Sequence, residues 1–124
     1  AVMTGLACLA FERARYLASL ATRLTALNVV ASEGNAHHFD EVLFAAKPHP
    51  GQTRVAARLR EDLASDRPSR NEQRLQDRYS LRCAPHVIGV LEDALDLVRG
   101  MIEVELNSAN DNPLIDPDRE TVLH

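Results

Sequence analysis

Leu6, Ala10, Arg13, Leu17, Leu20, Leu24, Leu27 and Ala31 recur at alternating spacings of four and three residues. That is a heptad seam, and Arg13 is its one polar member. A helix carrying it from about Val2 to Ala31 is roughly 45 Å long at 1.5 Å per residue. Ala7, Ala14, Ala18 and Ala21 widen the apolar surface beyond the seam, so neighbours are expected on more than one side. A chain of 124 residues has too little further surface to cover such a rod. The rest of the cover must come from other segments or other subunits.

Downstream punctuation is dense. Ser32–Ala36, polar and containing Gly34, stops the first helix. Phe39, Val42, Leu43 and Ala46 mark one side of a short helix over about 39–46. Lys47-Pro48-His49-Pro50-Gly51 then forbids helix, because two prolines remove donors. Val55, Ala56, Leu59 and Leu63 predict a second short helix over about 52–64, and the charged, non-periodic stretch over about 66–84 is a long loop. Pro85 suits a helix start, and Ile88, Leu91, Leu95, Val98 and Ile102 repeat the four-three stripe to about residue 106. Residues 107–116 form an Asn/Asp turn. The expected class is all-α, with two long and two short helices.

Composition supports helices over strands: 45% of residues are hydrophobic but only 4% are aromatic. A net charge of −4 offers no field for a phosphate backbone, so nucleic acid is not an expected partner. Cys8 and Cys83 cannot make a disulfide framework and fit buried thiols in a reducing compartment. The apolar start lacks a basic leader and a cleavage site, and no stretch predicts a membrane span, which makes cytoplasm the expected location. Both ends enter and leave in mid-pattern, so the chain reads as an internal piece of something longer.

Two clusters could carry chemistry. In Gln76-Asp77-Arg78-Tyr79-Ser80-Leu81-Arg82, one helical turn would put Tyr79 and Arg82 on the same face. An Arg fork can grip a carboxylate, a Tyr hydroxyl can move a proton, and Gln can fix an oxygen or an amine. Read as isolated residues, the same stretch is a surface salt-bridge network. Asn107–Ile115 is physically a hydrogen-bonding turn before Pro113. His37 and His38 read as surface or loop histidines, since no second cluster gives them metal-ligand spacing, and no metal is expected. Glu103 and Glu105 read as a solvated or salt-bridged face.

Three phrases in order resemble one family: the turn Pro48-His49-Pro50-Gly51-Gln52, QDRYSLRC over 76–83, and NSANDNPLID over 107–116. They are similar to the ammonia-lyases of histidine, phenylalanine and tyrosine and to the related 2,3-aminomutases, and the similarity covers essentially the whole chain. The resemblance implies a central bundle of long, near-parallel helices in a homotetramer whose sites draw on more than one subunit. It implies an amino-acid substrate and a methylidene-imidazolone (MIO) cofactor self-formed from an internal Ala-Ser-Gly. That triplet is not found here, the nearest text being Ala31-Ser32-Glu33-Gly34, so this piece alone is expected to be inactive.

Carried over by position, the resemblance makes Arg82 the partner of the substrate carboxylate and Tyr79 a catalytic residue lining the site. Gln76 orders that shell, and Asn112 lies close to the substrate. Where the family often reads Gln after Arg82-Cys83, this chain has His86, which leaves the substrate open. The expected activity is elimination of ammonia to give an unsaturated acid, with amine migration by an aminomutase as the alternative. A non-catalytic helical oligomerisation scaffold, supported by the seam, is the reading from another class. The signature of the fumarase-type lyases does not occur.

Overall fold

The computed structural model describes residues 2–64 and 72–124. Its helices are α1 (Val2–Ala31), α2 (Glu41–Ala45), α3 (Pro50–Asp62), α4 (Tyr79–Arg82) and α5 (Ala84–Leu106), with a 3-10 turn at Ala36–Phe39. α1, α3 and α5 pack against one another, and the mostly helical class is as expected. The strands β1 (Leu114–Asp116) and β2 (Thr121–Leu123) were not foreseen. They pair antiparallel with Leu114 opposite Leu123. The Asp116 carboxylate accepts from the amides of Asp118 and Arg119 and so folds the turn between them, which period-based reading takes for plain loop.

Element boundaries also differ from those expected. Asp40 accepts from the Val42 amide and caps α2, so Phe39 belongs to the preceding 3-10 turn. α3 starts at Pro50 instead of residue 52, since proline at a first helical turn loses no bond. The expected loop over 66–84 contains the α4 turn and the start of α5, and its residues 66–71 lie outside the described residues.

α1 ends through a paired closure: the Gly34 amide donates to Val29 O at 2.8 Å and the Glu33 amide to Val30 O at 3.1 Å. The left-handed residue is Glu33, with φ of 50°, and not Gly34. Gly34 serves a different need. A Cβ there would stand 3.0 Å from the Asp77 carboxylate and 3.3 Å from Val29 O.

The core is small. Ala26, Val29, Ala36, Phe39, Val55, Leu59 and Leu63 are buried together, with Leu81 and Ile88 packed on them. α1 turns Ala18, Thr22, Thr25, Ala26 and Val29 inward, and the buried threonine hydroxyls bond back to the carbonyls of Ala18 and Ala21. The heptad seam faces the other way. Leu6, Leu17, Leu24 and Leu27 are 59%, 58%, 47% and 65% exposed, so the chain leaves its longest apolar stripe uncovered.

α3 and α5 meet at a glycine pair. A Cβ on Gly51 would overlap the Gly89 carbonyl, and one on Gly89 would overlap the Gln52 amide. The Gly51 amide donates to Asp93 Oδ1 at 2.7 Å, placing a carboxylate at the positive end of α3. Arg54 reaches Glu92 and Asp96, and Arg58 reaches Glu92, so the crossing is laced along its solvent edge.

Candidate functional site

Segment 72–82 is held by one buried carboxylate. Asp77 is 4% exposed and stands beneath the end of α1. Its Oδ2 accepts from the Asn35 amide at 2.5 Å, and its Oδ1 lies 3.2 Å from Arg74 Nε in an ion-pair contact. Arg74 itself donates to Ser32 O and Glu33 O, in the turn just past the end of α1. Asn35 Nδ2 donates to Arg74 O at 3.0 Å. The Asp77 amide donates to His38 Nε2 at 3.1 Å, and that nitrogen is 3.6 Å from Asp77 Oδ2. The strand of chain before α4 is therefore clamped to the α1 terminus at several points.

α4 is a single helical turn. Leu81 points into the core and fixes its roll, which leaves Tyr79, 72% exposed, and the half-buried Arg82 on the outer side. The Arg82 guanidinium lies over the Tyr79 ring, 4.3 Å from its centroid. Arg82 Nε donates to Asp77 O at 3.1 Å. Among the described residues its two terminal amino groups make no hydrogen bond, so the face of the fork suited to a carboxylate is open. Gln76 is exposed immediately before this turn.

Tyr79 and Arg82 are thus brought into contact, and Gln76 is exposed on the same segment. Asn112 lies elsewhere. It follows the far end of α5, whose 23 residues span roughly 35 Å, and its amide bonds the Asp111 side chain. The peptide between Asn112 and Pro113 is cis.

Other sequence expectations shift. His38 is no free loop histidine but an acceptor for the Asp77 amide, and burial, its foremost cause, lowers its pKa. His86 packs on Phe44 with ring centroids 5.3 Å apart, and burial again leads in lowering its pKa, with Lys47 and Arg82 adding to it. Glu103 pairs with Arg99 one turn away, as a salt-bridged face requires. Cys8 on α1 and Cys83 at the junction of α4 and α5 are both half-buried, short of the full burial expected. Among the described residues no three of His, Cys, Asp and Glu gather as metal ligands, and no helix is long and apolar enough to cross a membrane. A groove of about 800 Å³ runs between α1 and α5, lined by Arg15, Tyr16, Arg54, Asp96 and Arg99 among others, away from Arg82.

Comparison with known proteins decides the family. The aromatic amino acid lyase model matches residues 1–124. The chain belongs to the aromatic amino acid lyase family. It is 42% identical over 129 residues to the histidine ammonia-lyase of Homo sapiens, covering 98% of this chain and 20% of that protein. To the phenylalanine ammonia-lyase of Nostoc punctiforme it is 35% identical over 133 residues, covering 99% of this chain and 23% of that protein. Its fold is similar to the phenylalanine aminomutase of Pantoea agglomerans, with a TM-score of 0.87 and 31% identity over 98% of this chain and 28% of that one. The chain spans about a fifth of the length of the histidine ammonia-lyase it matches.

Asp77 and His38 were not singled out as functional by sequence reasoning. Their contact joins residues 39 apart through space, and neither sits in a spacing that announces it. Asp77 did lie inside the QDRYSLRC phrase, which was the one signal available.

Proposed function

We propose that this lyase-family chain is the carboxylate-holding part of an enzyme that eliminates ammonia from histidine or an aromatic amino acid. The observation that carries the reading is the open fork of Arg82, stacked on Tyr79 and tethered to Asp77 O. Such a fork holds the acid end of an amino acid still, which keeps the weakly acidic β-proton in place for a base. Tyr79 sets the stacking face and offers a hydroxyl at the substrate's edge, and Gln76 supplies an amide beside it.

The implied MIO group forms from Ala-Ser-Gly, which these 124 residues do not include. The donors here fit a group presented by another segment: Tyr79 and Gln76 are exposed and directed away from the chain's own core. When bound, that group supplies an electrophile for the substrate amine. The residues of this chain bind and orient the other end.

The same geometry bears on assembly. Arg82 and Asn112 stand at opposite ends of a helix roughly 35 Å long, far more than an amino acid spans. If both touch one substrate, they come from different copies of the chain, which agrees with a homo-oligomer, a tetramer by resemblance. The cytoplasm remains the proposed location.

The test is full-length protein offered histidine, phenylalanine and tyrosine, followed by absorbance of the unsaturated acid and by released ammonia. The fold shared with an aminomutase favours a second reading, and chromatography for a β-amino acid separates the two. Neither product, together with no Ala-Ser-Gly in the full-length sequence, would leave the helical scaffold.

A further inference from the structure

We propose that His38 is a positioning residue for Arg82, acting through Asp77. Resting on the substrate-holding role assigned above to Arg82, the inference adds the device that aims it. Asp77 is bonded at three points: its Oδ2 accepts from the Asn35 amide, its own amide donates to His38 Nε2, and its carbonyl accepts from Arg82 Nε. The residue whose carbonyl Arg82 leans on is therefore held at its own N–H, one peptide unit earlier in the chain, by an imidazole. Rotation of that residue would swing the carbonyl and carry the guanidinium off the Tyr79 ring.

An imidazole nitrogen that accepts a hydrogen bond has a free lone pair, so the ring must be neutral with its proton on Nδ1. Protonation at Nε2 replaces an acceptor with a donor, facing a backbone N–H that can only donate. The His38 ring faces Asp77 and Arg82 from the segment before and within α4 and His37 from its own turn. Arg74 is paired to Asp77 on the same side, and Arg60 of α3 donates to the carbonyl of the adjacent Phe39. Asp77 alone among these carries negative charge, and it is already engaged by Asn35 and Arg74. Burial outweighs its attraction and keeps the ring neutral. Acid should therefore loosen the latch.

The test uses full-length protein with His38→Ala and His38→Gln, the glutamine keeping a carbonyl acceptor at similar reach without a titrating proton. Hydrogen exchange at one fixed pH is read on the peptide spanning residues 76–82, and steady-state kinetics are read from pH 5.5 to 8. His38→Ala should speed exchange in that peptide and raise KM for the amino acid about five- to tenfold, with kcat little changed. His38→Gln should restore both, and should flatten the rise in KM expected of wild type as pH falls below about 6.5, the ordinary histidine value. Unaltered exchange in His38→Ala overturns the latch, whatever reaction the protein performs. Faster exchange with unaltered KM overturns the positioning role, as does failure of glutamine to rescue. Wild type that shows the exchange pattern but turns over no amino acid leaves the latch standing and sinks the proposed reaction instead.

Discussion

At Arg82 one side chain does three things: it donates through Nε to Asp77 O, stacks on Tyr79, and keeps its outer amino groups open. Lysine can reproduce none of these together, because an ammonium has no planar face and a single point of charge. In the full-length protein Arg82→Lys is expected to lose about 1.5–3 kcal/mol of substrate binding, roughly a ten- to hundredfold rise in KM. Arg78→Ala is expected to change it little, since Arg78 is exposed at the N-cap of α4 and its side chain forms no cap bond. Equal losses at the two positions in steady-state kinetics would return the segment to an ordinary surface salt-bridge network. Two histidines make a second residue-scale expectation. His38 and His86 have folded pKa values below 6.5, so the unfolded chain takes up protons first as pH falls. The stability they contribute is present above pH 6.5 and is lost as pH drops through their folded values. Urea midpoints measured between pH 7.5 and 5.5 should fall on the acid side, and the double glutamine variant should flatten that slope.

The element scale shows what periodicity can and cannot carry. Four-three stripes marked α1 and α5 because a period of 3.6 is a property of the chain alone. Which way a stripe faces depends on what is available to cover it, and on α1 the inward face is the less hydrophobic one, built of Ala18, Thr22, Thr25, Ala26 and Val29. Two threonines could be buried because each hydroxyl finds a carbonyl in the preceding turn, a local bond that hydrophobic counting does not register. The hairpin at 114–123 escaped for a related reason: strands of three residues are too short to show a period. The glycine crossing joins Gly51 and Gly89 through space, and no local spacing announces it. Gly89→Ala or Gly51→Ala places a methyl group inside opposing backbone, which no rotamer change can relieve. Each is expected to cost about 1–3 kcal/mol or more, read as a lower denaturation midpoint, whereas Gly100→Ala, with nothing within 4 Å of its Cβ, should stabilise or leave the midpoint alone.

For the whole molecule the dominant fact is uncovered apolar surface. Leu6, Leu17, Leu24 and Leu27 on α1 and Val87, Leu97 and Val104 on α5 all stand in solvent when the chain is alone. Patches of that extent are covered in working proteins. The isolated chain should therefore be helical by circular dichroism and self-associating by sedimentation. Leu17→Glu with Leu24→Glu should shift it toward monomer while leaving helicity largely intact, and a well-folded wild-type monomer at high concentration would refute this.

α5 has a further consequence as a gauge. It sets the interval between the Arg82 end and the Asn112 end, and a helix converts sequence length into both distance and angle. One residue inserted near Leu95 turns everything beyond it by about 100° and lengthens the span by about 1.5 Å. Seven residues restore the angle to within about 20°, yet push the ends about 10 Å further apart. If the two ends serve sites built from different copies, neither insertion is tolerated: the first fails on phase, the second on length. The tip of the hairpin at 117–120 measures nothing and should accept either. Ammonia release by these four insertion variants of the full-length protein would separate a helix that merely fills space from one whose length is itself part of the site.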